Sequence, residues 1–325
     1  AVNNATSTGE TVTVTEDLDE TIPTSGETAP ASADTIIQGS GSPIINVSGY
    51  GADIINLDGN NNITVDGLTF EGNSLAQSAV TSSGTVNTTI SNNVFNGFTA
   101  TTVNIVAGDS GNDDTLDISN NEFTNDDSDA ISVDVSGFGD DADSLTIENN
   151  DPIEITGGTA ITVDGAVGSA IDVTVSGNVI DAEDTGTGIL LGNALDDGHV
   201  DIEQGSINGT STGIDVNTAS PVPDLNITGV EVTQSNNNAT TIRGDSATDV
   251  RVSDVTIDDA QNTGISVLAS DTSVEIDGAS INNTEYGIAL ENGSATYQNV
   301  TNSEVTYAGT AGLYADTDTE RYVHF

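Results

Sequence analysis

The sequence contains no cysteine, methionine, tryptophan or lysine. Without thiols there are no disulfides and no thiolate metal centres, so a folded chain must be held by packing and hydrogen bonds. Cations are nearly absent as well: Arg243, Arg251 and Arg321 stand against 52 acidic residues, a formal net charge of −49. A polyanion of this strength repels nucleic acid and anionic lipid, which removes both from the expected partners. No apolar run approaches the roughly 18 residues that a membrane-crossing helix needs, so direct membrane insertion is not expected. Nor does Ala1 open a basic segment followed by an apolar one, as is the case once a signal peptide has been removed; export is the expected fate.

Such a charge gathers cations, and its self-repulsion is relieved by salt or divalent ions. A saline or calcium-rich exterior suits the chain. No organic cofactor is expected, and Ca²⁺ is the one candidate ion.

What the sequence does contain is a repeat. Ile63/Val65, Ile90, Leu116/Ile118, Leu145/Ile147, Val173/Val175, Val200/Ile202, Leu225/Ile227, Val250/Val252 and Val274/Ile276 recur in similar alternating contexts. Their spacing of roughly 24 to 29 residues is that of a solenoid coil. Each segment is short, alternates apolar with polar, and is rich in Val, Ile and Thr, which predicts a strand and not a helix. A second strand, opened by a small residue, recurs as Ala130-Ile131-Ser132-Val133, Ala160-Ile161-Thr162-Val163, Gly188-Ile189-Leu190-Leu191, Gly213-Ile214-Asp215-Val216, Gly264-Ile265-Ser266-Val267 and Gly287-Ile288-Ala289-Leu290. Between the first strand and a short third one lie Asn92-Asn93, Asn120-Asn121, Asn149-Asn150 and Gly177-Asn178, followed by Phe95, Phe123, Ile153 and Ile180. Asn and Gly tolerate the left-handed backbone that a two-residue corner demands, and stacked Asn side chains can bond as a ladder. Later coils carry Gly205, Val230, Val255 and Ala279 at the ladder position, so the ladder is expected only in the middle.

These residues, Ile-Ser-Asn-Asn-x-Phe followed by Gly-Ile-x-Val, resemble the coil of the pectate-lyase-like right-handed parallel β-helix superfamily over about residues 36–313. Among its members the sequence is most similar to bacterial autotransporter passenger domains. The resemblance implies an all-β, single-stranded parallel β-helix of about ten coils. An N-terminal cap is expected over 1–35, coils over 36–294, and an aromatic-rich cap or junction over 295–325, where Tyr297, Tyr307, Tyr314, Tyr322 and Phe325 gather.

Three sets of residues are candidates for chemistry. Acidic loops carry Asp109, Asp113 and Asp114 in one coil and Asp140, Asp141 and Asp143 in the next. Stacked about 4.8 Å apart they would repel unless solvated or bridged by a hard cation, so they are the candidate Ca²⁺ ligands; the alternative is a solvated acidic face. Arg243-Gly244-Asp245 is expected in a loop and matches a tripeptide that integrin ligands present, which makes it the candidate ligand-binding motif; the alternative is a turn. Asp134 and Asp164, aligned on adjacent coils, and Asp215 are the carboxylates that a glycosidase would use. His199, in Asp196-Asp197-Gly198-His199, is expected in a surface loop and not in a catalytic centre.

The superfamily carries its cleft on the outer side of the Gly-Ile-x-Val sheet. That row here reads Ser132, Thr162, Leu190, Asp215, Ser266 and Ala289, without Arg, Lys or an aromatic platform. The expectation is therefore a non-enzymatic, extracellular, cell-surface adhesin or self-associating protein. It would bind host glycan, host protein or its own copies along the rod, with Ca²⁺ dependence, as many weak contacts give avidity without a pocket. A polysaccharide-active glycosidase and a filament, sheath or tailspike subunit are the alternatives.

Overall fold

The computed structural model describes residues 11–16, 18–20, 29–30, 34–47, 53–57, 61–74, 77–111, 113–139, 143–165, 171–183, 186–192, 198–218, 224–244, 249–269, 273–291, 297–316 and 322–323. Each coil is built from three strands. In sheet A lie Thr115–Ser119, Ser144–Glu148 and Asp172–Ser176. After a tight corner come the shorter strands of sheet B, such as Glu122–Asp126, Ile153–Ile155 and Val179–Ala182. Sheet C follows, with Ile131–Asp134, Thr159–Asp164 and Thr187–Leu191, before a loop leads to sheet A of the next coil. Every strand pairs in parallel with its equivalent one coil on, as in Leu116, Leu145, Val173 and Val200. The result is an all-β, right-handed parallel solenoid of about ten turns, with no helix among the described residues.

Alternation dictates which side chains enter the lumen. Ile118, Ile147, Val175, Ile202, Ile227, Val252 and Ile276 form one buried column inside sheet A. Inside sheet B, Phe70, Phe95 and Phe123 stack at centroid distances of 5.2 and 4.9 Å, with Phe98 edge-on to Phe95 at 6.5 Å. β-branched side chains dominate because each pleat presents a narrow, repeating space that a rigid side chain fills at little entropic cost.

The corner between sheets A and B forms as expected. Asn92, Asn120, Asn149 and Gly177 have φ of 56°, 56°, 53° and 63°. The next residue of each corner turns inward. Asn93, Asn121, Asn150 and Asn178 are buried, and the amide Nδ2 of each of the first three donates to Oδ1 of the next at 2.9–3.1 Å. Each Nδ2 also donates to a main-chain carbonyl of the coil before (Val65, Ile90, Ile118, Ile147), and each Oδ1 takes a backbone N–H. Later coils keep the left-handed corner with Gln204, Gly229, Asp254 and Gly278 but fill the inner position with Gly205, Val230, Val255 and Ala279.

The small residue that opens sheet C has a steric cause. A Cβ on Gly213 would lie 2.5 Å from the Ala239 carbonyl oxygen and 2.6 Å from a Val232 methyl, since the chain bends inward there against the neighbouring coil. Stacking also continues outside 36–294: Thr11–Val14 pairs with Ile36–Gly39, and Tyr297–Thr301 with Ser273–Asp277. Much of 1–35, and the side chains of Tyr297, Tyr322 and Phe325, lie outside the described residues.

Candidate functional site

Sheet C turns two rows of side chains away from the lumen, of which Thr241, Ser266 and Ala289 are buried. The first runs Asn104, Ser132, Thr162, Leu190, Asp215, Thr241, Ser266, Ala289 and Tyr314. In the second, Asp134 stands beside Asp164, and further along Asn217, Arg243 and Leu268 follow one another. Successive rungs are roughly 4.8 Å apart, so a residue's neighbours along the rod are as close as neighbours along a strand.

Arg243 was expected in a loop. It instead lies within the strand Thr240–Gly244, where it pairs with Asn217 on one side and Leu268 on the other, while Gly244 pairs with Thr218 and Ala269. The β-ladder consumes the backbone that a free turn would have presented. Asp245 lies outside the described residues. The Arg243 guanidinium donates to Oδ2 of Asp215, its side chain 45% exposed against 16% for Asp215. Oδ1 of Asp215 is buried and has no hydrogen-bond partner. A buried carboxylate oxygen without a donor costs free energy.

Asp134 and Asp164 lie in register where sheet C meets its following loop, each with one oxygen committed to that loop. Oδ1 of Asp134 accepts Ser136 N–H at 2.9 Å, and Oδ1 of Asp164 accepts Gly165 N–H at 2.8 Å. At the far end of the face, Tyr286 and Tyr314 meet edge-to-face, centroids 5.8 Å apart at 61°. The sheet therefore carries both an arginine and an aromatic pair, contrary to the expectation from the sequence. Both were within reach of the repeat: Ala239-Thr240-Thr241-Ile242 and Gly312-Leu313-Tyr314-Ala315 follow the small-apolar-x-apolar pattern in its looser form. Arg243 lies just beyond the first of these, and Tyr314 is the x position of the second.

The buried carboxylates of the acidic loops are engaged in hydrogen bonds. Asp114 and Asp143 are buried and stack coil upon coil, Asp114 N–H donating to Oδ1 of Asp143 at 2.8 Å. Asp114 also accepts Ser110 N–H and Oγ–H, both at 2.7 Å, and Asp143 accepts Gly139 N–H at 2.9 Å. These carboxylates fold their own loops. Asp109 is exposed and accepts Gly111 N–H at 2.6 Å; Asp113 is exposed, and Asp140 and Asp141 lie outside the described residues. Among the described residues no group of three or more His, Asp or Glu side chains is arranged to hold a metal ion.

His199 opens a strand of sheet A and does not sit in a loop, because it pairs with Asp172 and Asp224. Its Nε2 lies 2.9 Å from Asp201 and its Nδ1 3.3 Å from Asp224. Asp126, which the sequence did not single out, is buried at the turn from sheet B to sheet C. It accepts Phe98 N–H at 3.2 Å and the Thr102 hydroxyl at 2.8 Å. Burial pushes its carboxyl up to about 7, against the pull of those two bonds and with a further push from Asp127. Among the described residues, one cavity of about 340 Å³ lies within the last coils against Ile288, Val300, Val305 and Leu313, and one of about 200 Å³ on sheet B beside Glu154, Asp181 and Glu183.

Similar folds belong to enzymes that act on polysaccharides. The A-module of mannuronan C-5 epimerase AlgE4 from Azotobacter vinelandii superposes with a TM-score of 0.63 at 15% identity, covering 98% of this chain and 91% of that one. The AlgE6 A-module from the same organism gives 0.61 at 14% identity, with 96% and 92% covered. A GH87 α-1,3-glucanase catalytic domain, solved in complex with tetrasaccharides, gives 0.52 at 14% identity, covering 97% of this chain and 62% of that one. No curated protein matches the sequence. The expectation of a non-enzymatic chain is overturned by these neighbours, and the absences on which it rested, of arginine and aromatics from the outer face of sheet C, do not hold. Residues 159–324, half of the chain, match the family described as right handed beta helix region, and this protein belongs to that family.

Proposed function

We propose that the protein is a polysaccharide-active enzyme, a glycoside hydrolase working on the outer face of sheet C. The observation that carries this reading is the pair Asp134 and Asp164, in register on adjacent coils at the edge of sheet C, on the same face as the Asp215–Arg243 ion pair. Asp134 and Asp164 stand one rung apart, near the roughly 5 to 5.5 Å that retaining glycosidases place between their two carboxyl groups. Asp134, the less exposed, protonates the glycosidic oxygen as the bond to the anomeric carbon breaks, and Asp164 attacks that carbon. Water then releases the sugar from Asp164, with Asp134 taking its proton. The polysaccharide-acting enzymes of like fold support the substrate class.

The test is release of reducing ends from a panel of neutral and acidic polysaccharides. Turnover of at least one is expected, lowered about 10²- to 10⁴-fold by Asp164→Asn. No release across the panel, or an Asp164→Asn variant as active as the parent, removes the hydrolase.

A surface adhesin is the second reading. It is favoured by exposed rungs such as Asn73 to Asn46, Asn283 to Asp259 and Asn302 to Asp277, which repeat a hydrogen-bonding pattern along the outside of the rod.

A further inference from the structure

Resting on the hydrolase reading of Asp134 and Asp164, we infer that Gly192 is a positioning residue for the nucleophile: by lacking a side chain it sets where the Asp164 carboxylate stands. Asp164 and Gly192 occupy one outward row on adjacent coils, since Val163 pairs with Leu191 and Gly192 N–H donates to the Val163 carbonyl at 2.8 Å. A Cβ on Gly192 would lie 2.6 Å from Oδ1 of Asp164, 2.7 Å from its Cγ and 3.2 Å from its Cβ. The carboxylate therefore leans onto the following coil, into the space that the glycine leaves. Glycine in a strand often marks a close approach of this kind. Asp134 leans the same way, onto Gly165, so the two carboxyl groups keep the one-rung separation of a retaining pair.

Asp164 is thus set by its own coil and by the next. Gly165 N–H holds Oδ1 at 2.8 Å, and the bare Cα of Gly192 admits the carboxyl group one coil on. A methyl at Gly192 would force Oδ1 back from 2.6 Å to the 3.4 Å at which ordinary contact begins. A nucleophile misplaced by about 1 Å loses on the order of 10²-fold in rate, because attack needs the reacting atoms aligned at about 3–3.5 Å. Gly192 allows a clean test of this. The three atoms nearest to its added Cβ all belong to Asp164, and its φ lies outside the left-handed region, so the backbone accepts a side chain. Gly165 differs: its φ is 114°, and a Cβ there would meet the backbone nitrogens of Ser136 at 2.5 Å and Val135 at 2.9 Å, straining the corner whatever happens to Asp134.

Steady-state kinetics on a polysaccharide that the parent turns over test the role. Gly192→Ala is expected to lower kcat about 10²-fold, with KM near the parent's and the thermal melt unchanged. In an Asp164→Ala protein, added azide takes the place of the missing carboxylate: it attacks the anomeric carbon while Asp134 protonates the departing oxygen, and a glycosyl azide is released. Adding Gly192→Ala to that protein should leave the azide-supported rate as it was, because no carboxylate remains to be displaced. A kcat equal to the parent's, a rise in KM alone, or an equal loss with and without the Asp164 carboxylate overturns the positioning role and leaves the hydrolase standing. No turnover of any polysaccharide by the parent, or no rescue of Asp164→Ala by azide, overturns the nucleophile and its positioning glycine together.

Discussion

Asp126 shows how much one buried side chain can make the fold depend on pH. Its carboxyl is raised from 3.8 to about 7, so the folded protein holds a proton there that the unfolded chain has already lost above about pH 4. The stability from that proton is fully present below pH 4 and disappears as pH climbs through about 7. Asp126→Asn keeps the shape and an acceptor for Phe98 N–H while removing the titration. Thermal melts should find parent and variant similarly pH-dependent below about pH 4. Above about pH 7 the variant should be the more stable, by an amount on the order of a few kcal/mol. A parallel pH dependence in both proteins across that window would mean that Asp126 is not the group responsible. Asp277 goes the other way, its carboxylate held below the usual range by the Thr301 hydroxyl and the Asn302 amide.

At the scale of elements, the asparagine ladder joins four coils through their interior. Asn121 gives its amide hydrogens to Asn150 and the Ile90 carbonyl, and its oxygen receives the backbone N–H and the amide of Asn93. Asn121→Ala strands several buried polar groups at once. Each unsatisfied group costs about 1–3 kcal/mol, so denaturant unfolding should show a loss of about 3 kcal/mol or more. A change below about 1 kcal/mol would mean that water replaces the missing rungs. This ladder was legible in the sequence because its Asn pairs recur at the spacing of the coil, and because the left-handed corner and the buried amide fall on consecutive residues. The placement of Arg243 was not legible in the same way. Arg-Gly-Asp reads locally as a turn, and only pairing with the neighbouring coils extends the strand through Arg243 and Gly244.

Across the whole molecule the ruling quantity is −49 elementary charges on a rod. Their mutual repulsion opposes both compaction and the approach of a second copy, and it is screened over about 10 Å at 0.1 M salt. If the outer rungs mediate adhesion, sedimentation velocity should show association that grows with ionic strength and with Ca²⁺. A single monomeric species at every salt and calcium concentration would remove the adhesive reading while leaving the hydrolase untouched.

The sequence by itself determined the solenoid: period, strand alternation, left-handed corners and buried ladder all follow from local chemistry repeated at fixed spacing, and stacking adds only the partner one coil away. It also placed Asp134 beside Asp164, because both occupy one position of that repeat. The contacts on the outer face of sheet C were decided by tertiary structure. Asp215 meets Arg243 across 28 residues, and Tyr286 meets Tyr314 across a full coil. Asp114 and Asp143, similar to their exposed neighbours in the sequence, are turned inward to fold their loops. A repeat fixes which rung a residue occupies; which side chains touch along the rod depends on rotamer, bend and burial, and those are settled only when the coils are stacked.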